Sequence, residues 1–344
     1  GRENFFAGDP ALVVDRPASL YVLQLDTLQV LHNVTFPDSI LPVHSSFLND
    51  IRVVPGTLRA FLTDTNLIPS QGALIALDLA TGFQRRYQGP STATQPGFQV
   101  VVGGTAYPQM DSPVDGVALS PDASTLYYSA VNGSVVYGVP TALLLDPGAQ
   151  LQDITDAVRP LYNKGTASDG MAAVAYGHQG QVALLYGDFV VDALALLPLG
   201  GPSGAQGAPG PVQRLATGPQ WFEWIDTIAA QANPQDASIT VYFTSNRLPL
   251  FFQGTMDFSG ASGPNMHVFR MEVGVPSPGG NSGGGGDLPP WAIGVISALA
   301  ACTLGLLMAV LALVWWLRRR RGRHQSANPY QEMDLHTPMM TSSR

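Results

Sequence analysis

Four times along the chain a short apolar strand opens on an aspartate: NDIRV at Asp50, VDGVALS at Asp115, SDGMAAV at Asp169 and IDTIAAQ at Asp226. These aspartates are 65, 54 and 57 residues apart. After each opening come two further strand-like runs. The second runs are LRAFLTDT, STLYYSAV, QVALLYGD and ITVYFTSN, and the third are GALIALDL, SVVYGVP, FVVDALALL and MHVFRMEV. All are rich in the β-branched and aromatic residues that suit a pleated, half-buried surface. A unit of this size cannot bury its apolar faces alone and must stack on its neighbours, which is the signature of a β-propeller blade.

Composition limits what else the chain can be. With 344 residues and 45% apolar content it can build a sizeable core. Residues 1–287 carry 23 acidic against 11 basic side chains, a balance that disfavours nucleic acid and favours cationic partners. The sole cysteine, Cys302, lies in an apolar run, so the globular part has no disulfide and no thiolate metal site. The six histidines lack the paired spacing of zinc sites, and no metal or other cofactor is expected.

Trp291 to Leu317 is a run of 27 residues without a charge. As a helix it would extend about 40 Å at about 1.5 Å per residue, enough for the roughly 30 Å of a bilayer's hydrocarbon. Trp291, Trp315 and Trp316 stand where interfacial aromatics belong, and RRRRGR at Arg318–Arg323 marks a cytoplasmic flank. The expected organisation is therefore a propeller over 1–275, a Gly/Pro/Ser-rich tether over 276–290, a transmembrane helix over 291–317 and a basic cytoplasmic tail over 318–344. This is a single-pass type I arrangement with the propeller extracellular or lumenal. Two sequons, at Asn33 and Asn132, suit that side of the membrane. Ala301, Gly305 and Ala309 have a spacing that permits helix-mediated homodimers, or reflect the ordinary small-residue content of a membrane helix. YQEM at Tyr330–Met333 has the form of a tyrosine-based sorting signal or belongs to a disordered tail.

The strings FLNDIRV with AFLTDT, GALIALDLATGFQRRY, DGVALSPDASTLYYS, VPTALL, KGTASDGMA and YFTSNRLPLFF appear in order between about residues 10 and 275. Together they resemble the yellow / major royal jelly protein family, with KGTASDGMA and FTSNRL the specific elements. The resemblance implies an all-β, six-bladed β-propeller with a central channel. In some members that channel binds biogenic amines, and others are linked to dopachrome conversion. About four blades and a remnant over residues 1–48 are present, so the sequence is expected to be an N-terminally truncated member. The membrane helix and the lack of ectodomain cysteines depart from the usual secreted pattern.

Propellers bind ligands at the axial channel, lined by the innermost strands and their loops. Asp50, Asp115, Asp169 and Asp226 are thus candidates to ring its mouth and hold an amine. The alternative for each is to accept backbone N–H groups in the turn entering its strand. Thr244 and Asn246 of FTSNRL either orient a ligand's polar groups or satisfy a neighbouring blade. Trp221, Phe222 and Trp224 either stack on an aromatic cation or pack between blades. A Schiff base at Lys164, the only lysine, is disfavoured because Gly165 suggests an exposed loop. Three functions follow: binding of a small aromatic amine or other cationic ligand, a dopachrome-type isomerase with a channel aspartate as proton carrier, and a non-enzymatic adhesion surface.

Overall fold

The computed structural model describes residues 17–274 apart from 44, 67–70, 177–180, 201–208, 234, 236 and 237. The chain divides into two compact units, Gly1–Leu288 and Pro289–Arg344, and every described residue belongs to the first. The expected tether, membrane helix, tail and Cys302 lie outside the described residues. Among the described residues no helix is long and apolar enough to cross a membrane.

Strands β1 (Ser19–Leu23) and β2 (Val30–Thr35) form a two-stranded sheet. Blade 1 follows as β3 (Leu48–Val53), β4 (Arg59–Asp64), β5 (Ala73–Asp78) and β6 (Phe83–Tyr87). A hairpin of β7 (Val100–Val102) and β8 (Thr105–Tyr107) precedes blade 2, which comprises β9 (Val114–Leu119), β10 (Thr125–Ala130), β11 (Val135–Pro140) and β12 (Arg159–Asn163). Helices α1 (Thr141–Leu145) and α2 (Leu151–Ala157) lie between its last two strands. Blade 3 is β13 (Met171–Tyr176), β14 (Gln181–Asp188), β15 (Ala193–Gly200) and β16 (Gln213–Thr217). Blade 4 has three strands, β17 (Trp224–Ala232), β18 (Ile239–Asn246) and β19 (Met266–Val273), with helix α3 (Leu248–Phe252) between the last two. All blades are antiparallel meanders, and the inner strands β3, β9, β13 and β17 stand side by side in that order. The sequence repeat of three strands per unit therefore understates the first three blades, whose outer strands are short and more polar, as in FQRRY.

Where a blade has a neighbour on each face, its middle strands are buried on both sides. Strands β4 and β5 are buried along almost every position. Phe61 points to blade 2, where it joins Val114, Val117, Leu126 and Tyr128. Its neighbours Ala60 and Leu62 point the other way, to Phe36 and Leu41. Equivalent clusters join blade 2 to blade 3 through Tyr127, Leu184 and Tyr186, and blade 3 to blade 4 through Leu185, Phe222, Phe243 and Phe269. Burying one such side chain contributes about 1.5–3 kcal/mol.

The charges of blade 1 serve the fold. Buried Asp64 accepts hydrogen bonds from the Phe47 N–H at 2.7 Å and Ser46 Oγ at 2.9 Å, and pairs with the Arg86 guanidinium at 2.5 Å. Arg85 donates to the carbonyls of Leu143 at 2.7 Å and Ala149 at 2.9 Å, tying the helical segment of blade 2 to blade 1.

Candidate functional site

The repeated aspartates occupy a repeated backbone irregularity. In blade 1, Leu48 pairs with Asp64 and Ile51 with Leu62, so three steps on β3 face two on β4. The extra residue falls at Asn49–Asp50. In blade 2, Val114 pairs with Ala130 and Val117 with Tyr128, placing the same bulge at Asp115–Gly116. In blade 4, Ile225 pairs with Ser245 and Ile228 with Phe243, and the bulge falls at Asp226–Thr227. In blade 3, Asp169–Gly170 lies immediately before β13. A β-bulge re-aims side chains out of the strand's alternation, here those of Asp50, Asp115 and Asp226.

Glycine at the next position draws successive bulges together. A Cβ on Gly116 would lie 1.8 Å from the Asp169 carbonyl oxygen, and one on Gly170 would lie 2.5 Å from that of Asp226. The Gly170 N–H donates to the Ile225 carbonyl at 3.1 Å, a direct backbone link between blades 3 and 4.

Asp115, Asp169 and Asp226 converge as a result. Asp169 hydrogen-bonds to both of the other two carboxyl groups. Asn49 Nδ2 donates to Asp115 at 2.6 Å, Trp224 Nε1 to Asp169 at 2.7 Å and Asn246 Nδ2 to Asp226 at 3.1 Å. Asn246 Oδ1 also accepts the Leu248 N–H at 2.9 Å, which fixes the start of α3. These partners are side chains rather than turn N–H groups. The turn-forming alternative therefore does not describe the three aspartates.

Burial favours the neutral form of each carboxyl group. It raises Asp115 to about 8, aided by the charges of Asp50 and Asp226 and opposed by the bonds from Asp169 and Asn49. Asp169 is pushed well above the usual carboxylate range by burial and its three acidic neighbours, the Trp224 N–H pulling the other way. Asp226 is raised by burial, with the Asp169 and Asn246 hydrogen bonds opposing. Protons are thus shared within the cluster, and its titration belongs to the group rather than to any one residue.

Asp50 is placed differently. Burial raises it to about 6, while Arg52 at 3.4 Å and the Val117 N–H pull it down. Arg52 also donates to the Met171 carbonyl at 2.6 Å, so this side chain runs from blade 1 to blade 3.

The three converging carboxyl groups line a cavity of about 470 Å³. Asn246 lines it too, with Phe47, Trp224, Leu248 and Phe252 forming much of the apolar wall. Asp50 and Thr244 do not line it; Thr244 Oγ1 accepts the Thr227 N–H at 3.2 Å within blade 4. The aromatic trio divides. Phe222 packs edge-on against Phe243 and Phe269 in the core, Trp221 lies against His267, and Trp224 alone reaches the cavity. Asn49, Phe47 and Phe252 were missed in the sequence, although Asn49 is the other residue of the blade 1 bulge. Among the described residues no group of three or more His, Cys, Asp or Glu is arranged as metal ligands.

The sequons also divide. Asn33 is exposed on β2. Asn132 is buried, its Nδ2 donating to the Met110 carbonyl at 2.7 Å and its Oδ1 accepting the Ser112 N–H at 2.9 Å. The expectation of a glycan at Asn132 is thereby corrected: the atom to which a sugar would attach is engaged, and it holds the loop of Met110 and Ser112 at the cavity rim. Lys164 likewise departs from the expected exposed loop, since its Nζ donates inward to the carbonyls of Gly133 and Thr166.

Among solved structures, the chain is similar to a luciferin-regenerating enzyme at 13% identity, over 75% of this chain and 72% of that one, with a TM-score of 0.42. It is also similar to regucalcin, a calcium-binding protein from Agrobacterium tumefaciens str. C58, at 16% identity over 76% and 74% of the two chains, with a TM-score of 0.40. A further likeness is to the Dos1 propeller, at 11% identity over 66% and 44%, with a TM-score of 0.33. No curated protein matches. The major royal jelly protein family matches residues 11–266, and the chain belongs to that family.

Proposed function

We propose that the protein binds a small cationic aromatic ligand, of the arylalkylamine class, at this channel mouth. The observation that carries the reading is the convergence of Asp115, Asp169 and Asp226 on one cavity whose remaining wall includes Phe47, Trp224 and Phe252. An ammonium group needs acceptors and negative charge, and its ring needs an apolar face; aromatic walls serve the ring and also attract cations. The cavity's size falls in the range of about 300–1,000 Å³ common to small-molecule sites. Asn246, already bonded to Asp226, is placed to orient a polar ring substituent. A single-pass anchor over 291–317 would hold the propeller on the outer or lumenal side of a membrane, with the ligand reaching it from there. Titration with a panel of aromatic amines tests the reading: saturable binding that weakens with salt supports it, and no binding across the panel contradicts it.

A second reading is favoured by the shared protons of the cluster. A carboxyl group raised to about 8 and hydrogen-bonded to a second one, Asp169, is suited to give and take a proton near neutral pH, as an isomerase of the dopachrome type requires. Turnover of such a substrate that is lost in Asp115→Asn would support it.

A further inference from the structure

A second cavity, of about 510 Å³, lies between β12 of blade 2 and strands β14 and β16 of blade 3. Its walls are Tyr162, Lys164, Tyr186, Asp188, Val212 and Arg214, none of which lines the channel cavity. Lys164 is the chain's only lysine. Its N–H is pinned to the Ser134 carbonyl at 2.8 Å, and Gly165 beyond it takes a left-handed φ of 70°. The side chain folds back so that Nζ donates to the carbonyls of Gly133 at 2.8 Å and Thr166 at 2.9 Å. Burial lowers this amine to about 7, with the charge of Asp188 opposing. A neutral amine that gives both hydrogens to fixed carbonyls retains one free tetrahedral position, its lone pair. Arg214, exposed, supplies the cavity's guanidinium.

We infer that Lys164 is a carbonyl-reactive amine and that this cavity takes a small α-oxo acid as a Schiff base, its carboxylate held by Arg214. The nitrogen lone pair forms a bond to the carbonyl carbon. The carbonyl oxygen then takes one proton from the nitrogen and one from solvent and leaves as water. A protonated imine remains, which keeps one N–H for a backbone carbonyl and has Asp188 as its counter-charge. Nothing is oxidised or reduced in this step, and hydrolysis reverses it.

Reductive trapping tests the inference, because a single lysine makes the labelled position unambiguous. The full chain is treated with glyoxylate and cyanoborohydride at pH 7, and carboxymethylation of Lys164 is followed by peptide mass spectrometry. The comparison is the same lysine in the urea-unfolded chain, which has an ordinary amine pKa. Saturable labelling, roughly tenfold or more faster in the folded chain, is expected for an activated amine. Equal or slower labelling in the folded chain would overturn the inference. The variant Arg214→Gln should lose roughly tenfold in glyoxylate labelling, as the removal of one charge-assisted contact implies, with acetaldehyde labelling unchanged. If Arg214→Gln changes neither, the assignment to oxo acids is overturned.

Discussion

Gly116 lies so close to Asp169 that a side chain on the glycine would meet the aspartate's own carbonyl oxygen. The contact joins the inner strands of blades 2 and 3 at the level where the carboxyl groups meet. Fold and site therefore rest on one backbone approach, repeated between Gly170 and Asp226.

Substitution at this contact is expected to be costly. Gly116→Ala should destabilise the propeller by about 1–3 kcal/mol or more, as overpacking of a closed interface does. Gly274→Ala, where nothing lies within 4 Å, should stay within about 0.5 kcal/mol of the wild type. Urea denaturation of the two variants measures the contrast.

Stability should fall as pH rises across the neutral range. Asp115 has a folded pKa of about 8 against an ordinary 3.8, so the native state holds this proton more tightly than the unfolded chain does. The associated stabilisation is present below pH 4 and is lost as pH rises towards 8, at no more than about 1.4 kcal/mol per pH unit for one group. Asp50 adds a similar decline between its ordinary value and about 6. Asp115→Asn should flatten the curve between about pH 4 and pH 8, measured by denaturant titration at fixed salt.

Binding should follow pH in the opposite sense. A cation favours ionised carboxylates, so an amine that remains protonated should bind more tightly as pH rises towards about 8, with release of protons from the cluster. Calorimetry in buffers of different ionisation enthalpy measures that release; a heat independent of buffer would contradict it.

Asp64 provides a structural counterpart to the site aspartates. Its carboxylate is fully buried and holds Arg86, Ser46 and the Phe47 N–H. Asp64→Ala should cost about 3–5 kcal/mol, because the Arg86 guanidinium loses its buried counter-charge and the Phe47 N–H loses the carboxylate it donates to. Thermal unfolding against the wild type is the check.

Much of this organisation was legible in the sequence because middle strands of stacked blades must be apolar on both faces. QVALLYGD coincides with β14 for that reason, while ITVYFTSN coincides with β18 through its alternation of buried and more exposed side chains. The outer strands β6, β12 and β16 and the hairpin of β7 and β8 carry weaker patterns, since one side of each meets solvent or loops. The aspartate repeat picks out three of the carboxyl groups that line the cavity but not their geometry. Asp50 differs from the others through Arg52, two residues away, and Asp115, Asp169 and Asp226 meet through glycines that pack across blades. Asn132 shows the limit of a local motif: Asn-Gly-Ser reads as a glycan acceptor, while its contacts with Met110 and Ser112 lie 20 or more residues away.

The most direct test of the account is calorimetric titration of the folded protein with serotonin and dopamine at low and physiological salt, alongside Asp169→Asn and Asn246→Ala. The account predicts saturable binding to the wild type that weakens with salt and is lost or reduced at least roughly tenfold in Asp169→Asn, in line with a charge-assisted contact. A flat titration from well-folded wild-type protein, or binding unchanged in both variants, would contradict it.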